Sequence, residues 1–303
     1  MNRVFSKGVL GVTSRPAVQH LFTRSAGRRL AERFVAGEQL DDAIRVAHRL
    51  NARGMSVSLD RLGEAVSDPA AADAARDAYI ECLDRMRSEE IVGNISVKLT
   101  QLGLAIDEMR AVSALGEVAV SAKEAGTTIT VDMEDSSYTQ QTIDVYLAVQ
   151  AELGNLGLAV QAYLYRTPGD VASVAKSGGH IRLCKGAYAE PADVAIQKKT
   201  EIREAYGKLL EQLIDQPDAL PAIATHDGDL VELAAALAGE RSRKFEYQML
   251  YGVRNSFQTE IVEQGHRLRV YVPYGTEWYP YLTRRLAERP ANLWFFVRAM
   301  LGT

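Results

Sequence analysis

The sequence predicts an α/β chain built as a (βα)8 barrel with an N-terminal helical extension, and three observations point there. Short β-rich runs alternate with longer helical patterns about eight times, the sequence form of a parallel sheet closed by crossover helices. The chain has 303 residues, 47% of them hydrophobic, which suits one barrel of about 250 residues plus an extension. Ionisable and amide residues gather at the C-terminal ends of the runs, where such a barrel does its chemistry. The expected division is 1–52 for the extension and 53–303 for the barrel.

The elements follow in order. The first acidic residue is Glu32, whereas Arg3, Lys7, Arg15, Arg24, Arg28 and Arg29 all precede it. Such an arm either lies against anionic lipid, or acts as an organelle address, or is a solvated helix covering one end of the barrel. Helical patterns are expected over 18–36 and 40–52. The β-rich runs are MSVSL from Met55, NISVKL from Asn94, TITVDM from Thr128, LAVQAYL from Leu158, HIRLCK from His180, AIATH from Ala222, FEYQML from Phe245 and LRVYVP from Leu268. Between and after them, the stretches 70–87, 106–125, 140–153, 192–214, 228–238 and 276–289 mostly carry apolar residues at three- and four-residue spacing and are read as helices.

Composition excludes several classes. Thirty-five basic against 39 acidic residues give a net charge of −4, which offers no footprint for a nucleic-acid backbone. Cys82 and Cys184 stand far apart without CxxC or His-rich company, so neither a disulfide framework nor a zinc site is expected, and a reducing cytoplasm fits best. No apolar run approaches the roughly 18 residues of a membrane span, and the one near Gly8 is too short for a signal-peptide core.

The run ends are the candidate site. They present Lys98; Asp132 with Glu134 and Asp135; Gln161 and Tyr163; Arg182 with Lys185; Thr225 and His226; Glu246 and Gln248; and Tyr271. A barrel built only for packing has no use for so many, because a buried charge is costly unless paired. In IRLCKGAY, from Ile181, Gly186 lets backbone approach a flat ligand closely, and a buried Arg182 asks for an internal carboxylate, Asp132 or Glu246. On the last helical pattern, Tyr281 and Glu288 stand three or four residues either side of Arg284 and Arg285. Those two forks suit a carboxylate or a phosphate, although a solvated face paired to Glu288 is the plainer reading. His226 has no HxxxH or HxH partner, so no metal is expected. Lys98 could form a Schiff base if burial lowered its pKa, which keeps an aldolase or phosphate-binding barrel in view.

The segments VKLTQLGL from Val97, VDMED from Val131, VQAYLYRTP from Val160, IRLCKGAY, ATHD from Ala224, FEYQMLYGVR from Phe245 and YVPYGTEWYPYLTRRL from Tyr271 together resemble proline dehydrogenase, in order, from Asn94 to Leu286. The short PYG-x-x-WYPY form is similar to the stand-alone bacterial members. The bifunctional members differ: they carry a tryptophan and an asparagine where this chain has Ala189 and Asp227, a difference that bears on the adenine end of the cofactor.

The resemblance implies a distorted (βα)8 TIM barrel holding FAD without a Rossmann motif, and none is present. By the resemblance, Arg284, Arg285 and Lys98 clamp the carboxylate of L-proline, while Asp132, Tyr188, Leu250, Tyr271 and Tyr281 line its ring. Arg182 approaches flavin N5, and Gln161, Lys185, Gly186, Ala187, Thr225, His226, Gln248 and Glu288 are positions at or near FAD. It also implies hydride transfer giving Δ1-pyrroline-5-carboxylate, electrons passed to a membrane quinone, and a separate pyrroline-5-carboxylate (glutamate semialdehyde) dehydrogenase for the next step. The basic arm then has a use as a peripheral contact at the inner face of the cell membrane. Beside these stand the Lys98 Schiff-base barrel and a flavin-binding scaffold without turnover.

Overall fold

The computed structural model describes residues 31–63, 65–242 and 244–288, and of 284–288 the backbone only. The basic arm and most of the helix expected over 18–36 lie outside the described residues.

Eight parallel strands close into a barrel in chain order: β1 Ser56–Arg61, β2 Gly93–Val97, β3 Ile129–Val131, β4 Leu156–Gln161, β5 His180–Cys184, β6 Leu220–Ala224, β7 Glu246–Leu250 and β8 Leu268–Tyr274. The last returns to the first, with β8 paired to β1 from Ser56↔Arg269 to Arg61↔Tyr274. All eight expected runs are strands, with ends displaced by no more than three residues, the largest being the end of β4 at Gln161 where the run was read to Leu164.

Side chains alternate across these strands, and the two faces have opposite chemistry. Outward residues such as Val57, Leu59, Ile95, Val131, Leu183 and Val270 are fully or almost fully buried under the helices. Inward residues are Ser58, Asp60, Asn94, Ser96, Thr130, His180, Arg182, Glu246 and Gln248, all buried as well. The interior is therefore a polar network where a barrel of this kind more often stacks branched apolar layers. Small residues make room for it. Arg182 stands in register with Ala159 on one side and Ala222 on the other, and a Cβ on Gly157 would collide with the His180 imidazole.

The described helices are α1 Leu40–Asn51, α2 Pro69–Ser88, α3 Glu108–Glu124, α4 Thr139–Leu153, α5 Thr167–Val174, α6 Lys199–Ile214, α7 Gly228–Glu240, α8 Asn255–Glu263 and α9 Trp278–Glu288. Asp68 caps α2 by accepting from the Ala71 N–H at 3.3 Å, with Pro69 in the first turn, and Asp107 caps α3 in the same way. Helix α1 buries Ala43, Ile44, Val46, Ala47 and Leu50 and packs on β1 and β8. It thus takes the outer place that the helix after β8 fills in a regular barrel. That helix, α9, instead buries Trp278, Tyr281 and Leu282 against Leu62, just past β1, and against Phe34 and Val35. This exchange is the distortion of the barrel, and it carries the backbone of 278–288 to the rim where the strands end.

Two expectations are corrected. The helix expected over 192–214 begins only at Lys199. Residues before it fold back on the segment after β4, where Ala195 bridges Leu164 and the Ile196 N–H donates to the Tyr163 carbonyl at 2.8 Å. Helices α5 and α8 were not expected. Each is short, at 8 and 9 residues, too brief to display a clear periodicity. Among the described residues, no helix is long and apolar enough to cross a membrane.

Candidate active site

Four charged side chains meet at the strand ends inside the barrel. Lys98, immediately after β2, donates through Nζ to Asp60 at 2.6 Å and to Asp132 at 3.4 Å. Asp132, immediately after β3, accepts from Arg182 Nη1 at 2.5 Å and from the Tyr271 hydroxyl at 2.7 Å. Arg182 lies in the middle of β5, 3% exposed, and spends its other donors on Gln248 Oε1 at 2.6 Å, Ser96 Oγ at 2.9 Å and Ser58 Oγ at 3.1 Å. Its guanidinium sits 5.2 Å from the centroid of the Tyr271 ring, within reach of a cation–π attraction. Of the two carboxylates expected to pair with Arg182, Asp132 does so; Glu246 opens β7 and pairs with Arg269 instead.

The electrostatics follow from this packing. Burial works against the charge on Lys98, but the carboxylates of Asp60 and Asp132 outweigh it and push its pKa well above the ordinary lysine value. A Schiff base needs the neutral amine, so the geometry disfavours the aldolase reading. Burial also pushes the Tyr271 hydroxyl well up, and the charges of Asp132 and Asp60 add to it; the phenol stays a donor. Burial raises the Glu134 carboxyl against the two hydrogen bonds that it accepts from Thr100.

A second group spans the ends of β4 to β7. Gln161 donates to the Glu134 carbonyl at 2.8 Å and accepts from the Ala187 N–H at 3.2 Å, so its amide is pinned between two loops. Lys185 pairs with Asp227 at 2.9 Å, and Arg203 pairs with the same carboxylate. Thr225 is buried and its hydroxyl accepts from the Asp227 N–H. His226 Nε2 accepts from the Leu250 N–H at 3.0 Å, which leaves the other ring nitrogen, Nδ1, to carry the proton of the neutral form. The Tyr188 N–H donates to the Tyr163 hydroxyl, and Tyr281 is buried beside Trp278 and Leu282. Gly186 has φ +121°, and a Cβ there would run into the Tyr163 ring. Gly186→Ala is therefore expected to cost about 1–3 kcal/mol of stability, read as a lower urea midpoint; an unchanged midpoint would show that the loop can yield.

Lys98, Asp132, Arg182, Tyr271 and Gln248 are thus one hydrogen-bonded network. Gln161 with Ala187, Lys185 with Asp227, and His226 with Leu250 form three further links around it. The side chains of Arg284, Arg285 and Glu288 lie outside the described residues, although their backbone belongs to α9 at the rim. Sequence reading overlooked Asp60, Ser58, Ser96 and Arg269. For the first three a signal was present, because the period of two in SVSLD and NISVK puts Ser58 with Asp60 and Ser96 with Lys98 on one strand face. Among the described residues no group of three His, Cys, Asp or Glu side chains is placed to hold a metal ion, and neither Cys82 nor Cys184 is part of a disulfide.

Comparison with known proteins gives a consistent picture. The family described as proline dehydrogenase matches residues 43–298. Proline dehydrogenase of Deinococcus radiodurans is 36% identical over 309 residues, covering 99% of each chain. Proline dehydrogenase 1 of Bacillus subtilis (strain 168) is 36% identical over 285 residues, 92% of this chain and 94% of that protein. Among solved structures, proline utilization A (PutA) of Bdellovibrio bacteriovorus, inactivated by N-propargylglycine, superimposes with a TM-score of 0.80 at 25% identity over 86% of this chain. This chain spans only 32% of the length of that one.

Proposed function

The chain belongs to the proline dehydrogenase family and is an enzyme of proline oxidation; on that premise we propose that it oxidises L-proline with FAD at the mouth of the barrel. The observation that carries the reading is the network of Lys98, Asp60, Asp132, Arg182 and Tyr271 at the strand ends. The donor set around it fits a flavin. Side-chain amides of Gln161 and Gln248, the Thr225 hydroxyl, the His226 ring and the Arg182 guanidinium offer fixed donors and acceptors along adjacent strand ends, as an isoalloxazine edge needs, while Lys185 suits a phosphate. When bound, FAD supplies the two-electron acceptor that receives the C5 hydride of proline at N5.

The protein's own share is positioning and charge. Lys98 and Arg182 are balanced by Asp60 and Asp132, so these four residues hold no surplus positive charge for a substrate carboxylate. Arg284 and Arg285, on the helix brought to the rim, supply that surplus and fix the carboxylate together with Lys98. Asp132, Tyr188, Leu250, Tyr271 and Tyr281 bound the ring, and Arg182 presents its charge to the flavin. Loss of hydride from C5 and of a proton from nitrogen turns the C–N bond into C=N, giving Δ1-pyrroline-5-carboxylate. Likeness to the family supports a membrane quinone as the final acceptor, a peripheral membrane contact, and a separate pyrroline-5-carboxylate dehydrogenase downstream.

The test is the visible spectrum of the purified protein before and after adding L-proline without oxygen. A flavin spectrum that bleaches supports the reading. A flavin spectrum that persists removes proline as substrate, and a colourless protein that FAD cannot reconstitute removes the cofactor. Separately, Arg284→Ala or Arg285→Met should raise KM for proline by roughly 10- to 150-fold, the loss of a charged hydrogen bond of about 1.5–3 kcal/mol, with FAD retained. An unchanged KM would take the arginines out of the clamp.

A further inference from the structure

We infer that Glu246, at the start of β7 and away from the barrel mouth, is a positioning residue that sets the guanidinium of Arg182 through Gln248. The inference rests on the reading that Arg182 faces the flavin. Gln248 lies between a group that can only donate and one that can only accept. Its Oε1 accepts from Arg182 Nε at 2.6 Å, and its Nε2 donates to Glu246 Oε1 at 2.7 Å. Turning the amide over would set donor against donor above and acceptor against acceptor below, so the carboxylate dictates which end Arg182 meets.

That carboxylate is itself held still. Arg269 grips it with a fork of 2.7 and 3.2 Å. Arg269 is anchored in turn on the Val57 carbonyl at 3.0 Å and on Asn94 Oδ1 at 3.2 Å. Asn94 donates to Thr130, which shares a 2.7 Å hydrogen bond with His180. Glu246 and Gln248 are each 4% exposed, so water does not compete. Burial pushes the Glu246 carboxyl up, but Arg269 and the hydrogen bonds outweigh it and hold its pKa at about 2, so it remains an acceptor at any working pH. The remaining nitrogens of Arg182 are held by Asp132, Ser96 and Ser58, and Nε donates to Gln248. Without an oriented amide there, the guanidinium plane is free to tip about its remaining bonds, and its charge no longer meets the flavin at one angle.

The plainer role for Glu246 is to neutralise Arg269, and the test separates the two. In Glu246→Met with Arg269→Met both charges leave together, a change that buried pairs often tolerate, while Gln248 loses its directional partner. This variant is expected to fold and to bind FAD with KM for proline little changed. Its flavin should become about tenfold harder to reduce, which is about 30 mV for a two-electron couple, with an altered flavin absorption band. Glu246→Asp keeps the charge for Arg269 but draws the carboxylate back from Gln248, and should shift the potential in the same direction by less; it decides the matter if the double variant does not fold. A midpoint potential and absorption band equal to those of the parent in a folded, flavin-loaded variant would overturn the inference. Arg182→Lys serves as the reference. If it moves the potential while the Glu246 variants do not, the relay fails and the placement of Arg182 stands; if it moves nothing, that placement fails and the relay with it.

Discussion

Lys98→Met is expected to lower kcat/KM for proline by roughly 10- to 150-fold and to weaken the fold at the same time. The ammonium is the shared counter-charge of Asp60 and Asp132, and Asp60 is 1% exposed. Removing one partner of a buried pair leaves the other charge stranded, at a cost to the fold of about 3–5 kcal/mol, while the lost charged hydrogen bond to the substrate carboxylate costs about 1.5–3 kcal/mol in kcat/KM. The two effects can be separated. Adding Asp60→Asn to Lys98→Met should restore most of the urea midpoint, because the stranded carboxylate is gone, while kcat/KM stays low for want of the cation. Parent-like kinetics in the single variant would mean that Lys98 serves the barrel interior and not the substrate.

Asp132→Ala is expected to cost about 2–4 kcal/mol in kcat/KM, roughly 30- to 1,000-fold, with most of the loss in kcat. Three side chains converge on this carboxylate, Lys98, Arg182 and Tyr271, so its removal releases all three at once. Tyr271→Phe gives the comparison, since it deletes a single hydrogen bond to a charged acceptor and keeps the ring beneath Arg182, for which about 1.5–3 kcal/mol is the ordinary range. The larger loss should belong to Asp132→Ala. If Tyr271→Phe proved the worse of the two, the phenol would act directly on the substrate and not through Asp132.

The strands, and the polar residues gathered at their ends, were legible for a physical reason. Each strand is buried on both faces, so its run is compact and bounded, and the residue at its C-terminal end stands out by polarity, as Lys98, Asp132 and Gln161 do. What was not legible depends on tertiary contact. The period of two in SVSLD assigns Asp60 to a strand face, but nothing near it announces that Lys98, 38 residues on, will be its partner. Arg269 has no motif, and its bond to Glu246 exists only because β7 and β8 are neighbours. The stretch 192–198 has helical composition, yet the backbone bonds offered by Tyr163 and Leu164 win over local propensity. Helix α9 was anticipated, but its departure from the outer ring was not, because that follows from α1 occupying the space over β1 and β8.

The seam between β1 and β8 bears on biosynthesis. Val57 accepts a hydrogen bond from Arg269, 212 residues later. At translation rates of about 5–20 residues per second, the first strand waits roughly 10–40 s for its closing partner. Throughout that interval its free edge is a template onto which another chain could add. The nascent polypeptide is therefore most vulnerable to self-association, and most in need of a chaperone, before the last strand leaves the ribosome. Substitutions along β8 should accordingly reduce the yield of soluble protein more than their effect on the finished enzyme would suggest.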